Sequence, residues 1–311
     1  MYKKYLLSLS ALFLLLTFSC KDKPGGPEII EYQIKNKPGF TLKITDQGQE
    51  PRKLLQFIFK EGFKQNGKMI MEMDIQNTMN GNESPLVNMP SIIMPVNSTV
   101  LEVNEDGSAK IKYEINKITV GDRPGANPQL VKSLKGIYSK IELISCTGEV
   151  DPSGAGTKPE CEFVGDIEPS LINSVKQMME NSNNNVFVPE YPVGIGAKWE
   201  ISSPSINSGG IVVSYKTLQE LVKLDGDAAT IYSTFSQKAD EQTVKFPGTE
   251  FESKISSLSG EGSSNMLIDF DKLLPLGSAN SNTKVSMTMQ MQDTAENKIV
   301  TDMDMNIKFT E

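Results

Sequence analysis

Ile211-Val-Val-Ser-Tyr-Lys-Thr-Leu-Gln-Glu-Leu-Val-Lys-Leu-Asp-Gly-Asp-Ala-Ala-Thr-Ile-Tyr-Ser-Thr-Phe-Ser-Gln237 decides the fold. Its two arms, Ile211 to Leu224 and Ala228 to Gln237, alternate with a period near two. That period belongs to a strand and not to a helix. Between them, Asp225-Gly226 supplies the positive φ that a tight hairpin turn requires. Two more segments share the same plan. Leu55 to Phe59 and Lys68 to Gln76 flank Gln65-Asn66-Gly67, and Thr99 to Val103 and Lys110 to Thr119 flank Glu105-Asp106-Gly107. The pattern predicts three hairpins in an antiparallel sheet.

Two stretches break the period. Asn127-Pro128 opens a run with Leu130, Val131, Leu134, Ile137 and Tyr138 at helical spacing, and Glu168-Pro169 opens another with Leu171, Ile172, Val175, Met178 and Met179. The fold expected is therefore α+β and β-rich: a curved antiparallel sheet with two short amphipathic helices packed against it. A helix acting as a mobile lid is the alternative to plain packing. A weak repeat, Asp106 to Tyr113 against Asp225 to Tyr232, leaves open two related halves meeting near 185–196 within one body, 29–311.

The chain begins with Lys3 and Lys4, then a Leu-rich uncharged run from Tyr5 to Phe18, too short to span a bilayer. The run ends at Leu16-Thr17-Phe18-Ser19-Cys20, which resembles a bacterial lipobox of the looser spirochaete type, with Thr17 where Leu is usual. The resemblance implies a signal peptide over 1–19, lipidation of Cys20, a tether over 20–28 and a place in the cell envelope, at the outer membrane. Ordinary secretion with a free Cys20 is the alternative. The tether residues 21–28 reach at most about 28 Å. Removing 1–19 takes two lysines from a chain of formal charge −8, leaving about −10. Such acidity speaks against nucleic acid and against an anionic membrane surface as partners; membrane attachment would come from the lipid.

Cys146 and Cys161 remain, an even number in an oxidising compartment, and are expected to form a disulfide. Two free thiols are the alternative. The chain has no histidine, which removes Ser-His and Cys-His nucleophile systems and His-bound zinc. The carboxylates are scattered, so no catalytic residue, cofactor or metal is expected, although a carboxylate-only glycosidase stays open. Gly62 to Met69 imitates a phosphate-binding loop but lacks its final Ser or Thr and reads as a hairpin turn.

Methionine is the unusual signal. Met69, Met71 and Met73, then Met287, Met289 and Met291, then Met303 and Met305 alternate strictly, with Glu72, Asp74, Gln290, Asp302 and Asp304 between them. Strands ordinarily favour Val and Ile. The Met face is read as plain core, as a deformable lining for a greasy ligand, or as a thioether site for copper(I). The segment Asn80 to Ser98, with Leu86, Val87, Met89, Ile92, Ile93 and Met94 between prolines, reads as a long apolar loop that packs, gates or meets a partner.

Val188-Pro-Glu-Tyr-Pro-Val-Gly-Ile-Gly-Ala-Lys-Trp199, followed by the Asp225-Gly226 hairpin, Gly260-Glu-Gly262 and a Met-rich hairpin, resembles a family of bacterial secreted proteins with a Pro-Val-x-x-Gly-x-x-Trp segment. With the lipobox this suggests a leptospiral-like lipoprotein. The family carries no assigned activity, so the resemblance implies a β-rich fold and no catalytic residues. The expected architecture is also distantly similar to periplasmic carriers of lipids and lipoproteins. Two functions arise as expectations: a non-enzymatic carrier of a lipid-like ligand, or an adhesin or scaffold that binds another protein. The carrier predicts an apolar cavity of several hundred Å³ with Met69, Met71, Met287, Met289 and Met303 in its walls.

Overall fold

The computed structural model describes residues 29–169, 171–172, 175–176, 187–208, 211–245, 252–289 and 297–311. Cys20, with the expected signal peptide over 1–19 and the expected tether over 20–28, lies outside them, as do Met178, Met179, Gln290 and Met291. Among the described residues no helix is long and apolar enough to cross a membrane.

The strands, in chain order, are β1 (Ile30–Gln33), β2 (Thr41–Asp46), β3 (Lys64–Met79), β4 (Asn82–Glu83), β5 (Val87–Asn88), β6 (Ser91–Val103), β7 (Ala109–Ile115) and β8 (Thr119–Gly121). After helix α1 (Pro128–Tyr138) come β9 (Ile141–Val150), β10 (Glu160–Gly165), β11 (Lys198–Ser208), β12 (Ile211–Asp225), β13 (Ala228–Ala239), β14 (Gln242–Lys245), β15 (Glu252–Asp269), β16 (Leu276–Met289) and β17 (Asn297–Thr310). Every pairing is antiparallel. The ladder runs β10-β9-β7-β6-β3-β17-β16-β15-β13-β12-β11-β2-β1. The short β4 and β5 flank β3, β8 adds to β6, and β14 adds to β15. The protein is thus built on one large, curved antiparallel sheet.

Two of the three expected hairpins form as read: Asp225 pairs with Ala228 across the β12–β13 turn, and Val103 with Ala109 across the β6–β7 turn. The third does not. Gln65-Asn66-Gly67 lies inside β3, opposite Ser98, Asn97 and Val96, and the positive φ falls at Gly62 instead. Glycine serves a different purpose at position 67. A Cβ there would stand 2.9 Å from Leu274 Cδ1 and 3.2 Å from the Thr310 carbonyl, so the residue permits close approach. Leu55 to Phe59 is likewise no strand of the ladder.

The apolar loop expected over Asn80 to Ser98 is also corrected. Asn80 and Gly81, with φ of 51° and 85°, make a tight turn, and from Asn82 onward the segment is mostly strand. Pro95 misled the reading because proline cannot donate to a ladder. It sits where one edge of β6 is unclaimed, after β8 ends opposite Ile93 and before β7 begins opposite Asn97.

Asn127 caps α1 by accepting from the Gln129 amide at 2.8 Å, with Pro128 in the first turn. Val131, Leu134 and Tyr138 pack against the cluster of Ile92, Met94, Ile115, Ile141 and Ile144, while Ile137 stays exposed. Of the two expected helices, α1 is the one described as an element. The segment after Glu168 contributes Leu171 and Val175 to the same cluster, and much of it lies outside the described residues.

The ends of the ladder curl toward each other. Asn36, in the β1–β2 turn, donates to Asp151 Oδ2 at 3.1 Å, and the Val188 amide donates to the Ser153 carbonyl. Ala155 enters the main core beside Phe40, Phe187 and Trp199. Trp199, fully buried, donates from Nε1 to Gln219 Oε1 at 2.7 Å and to the Phe187 carbonyl at 3.1 Å. Cys146 and Cys161 form a disulfide as a directly opposed pair of β9 and β10.

Candidate functional site

Residues 53–63 form a strap across one end of the curled sheet. Lys53 bridges Val193, Phe57 N–H donates to the Pro152 carbonyl, Ile58 N–H to the Phe270 carbonyl, and Gly62 N–H to the Val100 carbonyl. Val100 lies in β6, Pro152 in the β9–β10 loop, Phe270 just past β15 and Val193 ahead of β11, so the strap is tied to segments from both sides of the ladder. The strap keeps the two-residue period that its sequence promised. Leu55, Phe57 and Phe59 turn inward, and Leu54, Gln56, Ile58 and Lys60 are exposed. Phe57 stacks on Phe59 with centroids 6.0 Å apart and meets Phe270 edge-on at 5.3 Å.

The segment that carried the family resemblance anchors this strap. Val193, Ala197 and Trp199 are buried, and Gly194 lies so close to Gln49 that a Cβ would stand 1.7 Å from its carbonyl oxygen. Any side chain there would push the Gln47–Lys53 segment off the sheet.

Beneath the strap is a partly open cavity of about 200 Å³. Phe57 and Phe59 wall it from the strap, Met69, Ile111, Tyr113 and Ile115 from the sheet on one side, and Met266, Ile268 and Phe309 on the other. Leu273, Leu274 and Pro275 form part of the rim, with Lys68, Asp269 and Lys272. Burial pushes the Tyr113 phenol up to about 12, so it stays protonated at any physiological pH. Lys272 stands 3.8 Å from Asp269 and 3.6 Å from Glu311, which leaves the rim polar but nearly balanced.

The cavity is smaller than the carrier reading expected, and its walls differ. Met69 alone of the five named methionines lines it. Met71 packs with the α1 cluster, and Met287 and Met303 pack against Val213, Ile255 and Val285. The Met289 side chain lies outside the described residues. The register does place the Met positions on one face, where Met73 opposes Met305 and Met69 opposes Met94. However, Met71 faces Ile307, Met303 faces Ile75 and Met69 faces Phe309, and across β16 Met303 and Met305 face Thr283 and Ser281, so methionine shares the face with other apolar and small polar residues. Phe57, Phe59, Tyr113, Ile268 and Phe309 are among the lining residues that sequence reading missed. Phe309 was within reach of it, since it continues the alternation Met303, Met305, Ile307.

The opposite face of the same strands carries the alternating acids. Asp74, Asp304, Asn282 and Glu261 stand in one directly opposed row across β3, β17, β16 and β15. Like charges so placed repel. Arg123 answers this with a two-pronged contact to Asp74, 2.8 Å on each oxygen, and Asn282 donates to both Asp302 and Asp304. Asp74, Arg123, Glu261, Asn282 and Asp304 border a polar groove of about 430 Å³. The carboxylates that depart from their ordinary pKa among the described residues, Asp106 and Asp227, are both lowered, by the Ser108 hydroxyl and by Lys53 respectively, in exposed turns. A lowered carboxylate does not serve as a general acid. Comparison of the chain with protein-family models and with curated proteins finds no match in either.

Proposed function

We propose that this protein is a non-enzymatic cell-envelope lipoprotein, lipidated at Cys20 and held at the outer membrane, that binds one apolar segment of a lipid-like ligand beneath its strap. The observation that carries the reading is the cavity under Phe57 and Phe59, about 200 Å³ in volume. An engineered cavity of about 150 Å³ in another protein takes one benzene molecule. The site here therefore has room for a single ring or part of one acyl chain, and not for both tails of a diacyl lipid. The rest of the ligand would lie at the rim, where Lys68, Asp269 and Lys272 offer polar contacts. The single-chain class also fits the Met69 and Met266 thioethers, which deform around varied shapes.

Native mass spectrometry of the full chain purified from membranes tests this. A fatty acid or a single-chain lipid should remain bound beyond the acyl chains on Cys20, and Met69→Trp, which fills the cavity, should abolish its retention. No retained ligand in the wild-type protein would overturn the carrier reading. The alternative, a scaffold or adhesin, would then rest on the polar groove around Asp74 and Asp304 and on the exposed Leu86 and Val87.

A further inference from the structure

We propose that the strap is also the face that docks on the lipid surface, so that the cavity opens toward the membrane that holds the protein. This rests on the lipid-anchor reading above. Three observations point to a bilayer as the occupant.

The first is where the tether ends. The described chain starts at the exposed Ile29, and Ile30 pairs with Ile44, Ile44 with Trp199, and Trp199 with Gln219. The next inward-facing row of the same sheet is Leu221, Ile231 and Met266, and Met266 lines the cavity. From Ile30 the backbone points back past Asp46 toward the end that carries the Asp225–Asp227 turn and Phe270, to which the strap is bonded. The 21–28 tether, at most about 28 Å long, would thus hold that end, and not the Asn80–Gly81 end, near the bilayer.

The second is the outward side of the strap. Leu54 and Ile58 are 41% and 45% exposed, and Leu101 and Ile195, from segments bonded to the strap and its support, are 41% and 44%. Apolar side chains on an extended segment at the rim of a cavity suit the headgroup boundary. The third is charge. Across 51–68, Arg52, Lys53, Lys60, Lys64 and Lys68 stand against Glu61 alone, a local +4 in a chain of −8. Arg52, Lys53 and Lys60 pair with Glu50, Asp227 and Asp271, so it is the exposed Lys64 and Lys68 that carry the segment's charge outward. The net acidity of the chain hides a basic segment that complements anionic headgroups.

The test uses the full, lipidated chain on vesicles of phosphatidylcholine with and without phosphatidylglycerol. A photoreactive benzoylphenylalanine at Ile58 should cross-link to lipid several-fold more than one at Met79, at the opposite end of β3. The excess should grow with phosphatidylglycerol and shrink in Lys60→Glu/Lys64→Glu. In the unmodified protein, hydrogen exchange at strap amides should slow on vesicles. Equal or greater cross-linking from Met79, with strap exchange unchanged, would overturn the proposal. Failure of the chain to stay on vesicles at all would overturn both this docking and the anchor. Ligand retention, measured on the same preparation, reports on the carrier reading separately.

Discussion

Tyr113 shows how a single residue reports on the cavity. Its phenol, walled by the β7 face and the strap, is held protonated up to about 12 against an ordinary value near 10. The folded state thus favours the neutral form. That contribution is fully present below pH 10 and disappears as pH rises through about 12. Tyr113→Phe should leave stability at pH 7 almost unchanged and should blunt the loss between pH 8 and pH 11. The difference should be roughly 1–2 kcal/mol, below the full value of a two-unit shift because the ring is only half-buried. Denaturant titrations at the two pH values decide it; an identical alkaline loss in both proteins would mean that Tyr113 ionises freely. Gly67 offers a second residue-scale probe. Gly67→Val would drive Leu274 toward the cavity and should cost about 1–3 kcal/mol in chemical unfolding while reducing ligand retention.

Among the elements, the strap shows what was legible and what was not. The alternation Leu55, Phe57, Phe59 was visible, and the inward and outward faces obey it. What the sequence could not supply was a partner, because a period of two looks the same whether an extended segment joins a ladder or crosses the end of one. Gln65-Asn66-Gly67 failed for a related reason, since Asn-Gly serves a tight turn and Gly67 equally serves contact with Leu274. Helix α1 was readable because its Asn127 cap and Pro128 are local. The Met strands were placed on one face correctly, but Ile75, Ile307 and Phe309, which break up the Met surface, come from pairings distant in sequence. The disulfide was also legible from cysteine count. It closes the β9–β10 loop, whose Pro152 and Ser153 carbonyls receive the Phe57 and Val188 amides. Cys146→Ala/Cys161→Ala should therefore lower stability by roughly 3 kcal/mol. Hydrogen exchange at Phe57 and Val188 should rise as well; unchanged exchange would show that the loop is held without the bridge.

At the scale of the whole molecule, a long open ladder becomes a container only if its ends are held together, and Asp151 stands at that junction. The side chain is buried, and its Oδ1 accepts from Ser153 N–H at 2.9 Å, Ser153 Oγ at 2.6 Å and Ala155 N–H at 3.1 Å. Its Oδ2 accepts from Asn36 across the seam. Asp151→Ala would strand the buried Ser153 and Ala155 donors and should cost roughly 2–4 kcal/mol. Asn36→Ala removes the cross-seam bond but leaves the loop intact, and should cost roughly 1–2 kcal/mol. The informative comparison is where the loss appears. If the seam keeps the sheet curled, both variants should accelerate exchange at Phe57 and Val188 and reduce bound ligand, while amides of the β12–β13 pair stay protected. The effect of Asn36→Ala should be the smaller of the two. Should Asn36→Ala leave strap exchange and ligand retention at the wild-type level, the strap's own bonds to Pro152, Phe270 and Val100 would be sufficient to close the container, and Asp151 would be shaping only its own loop.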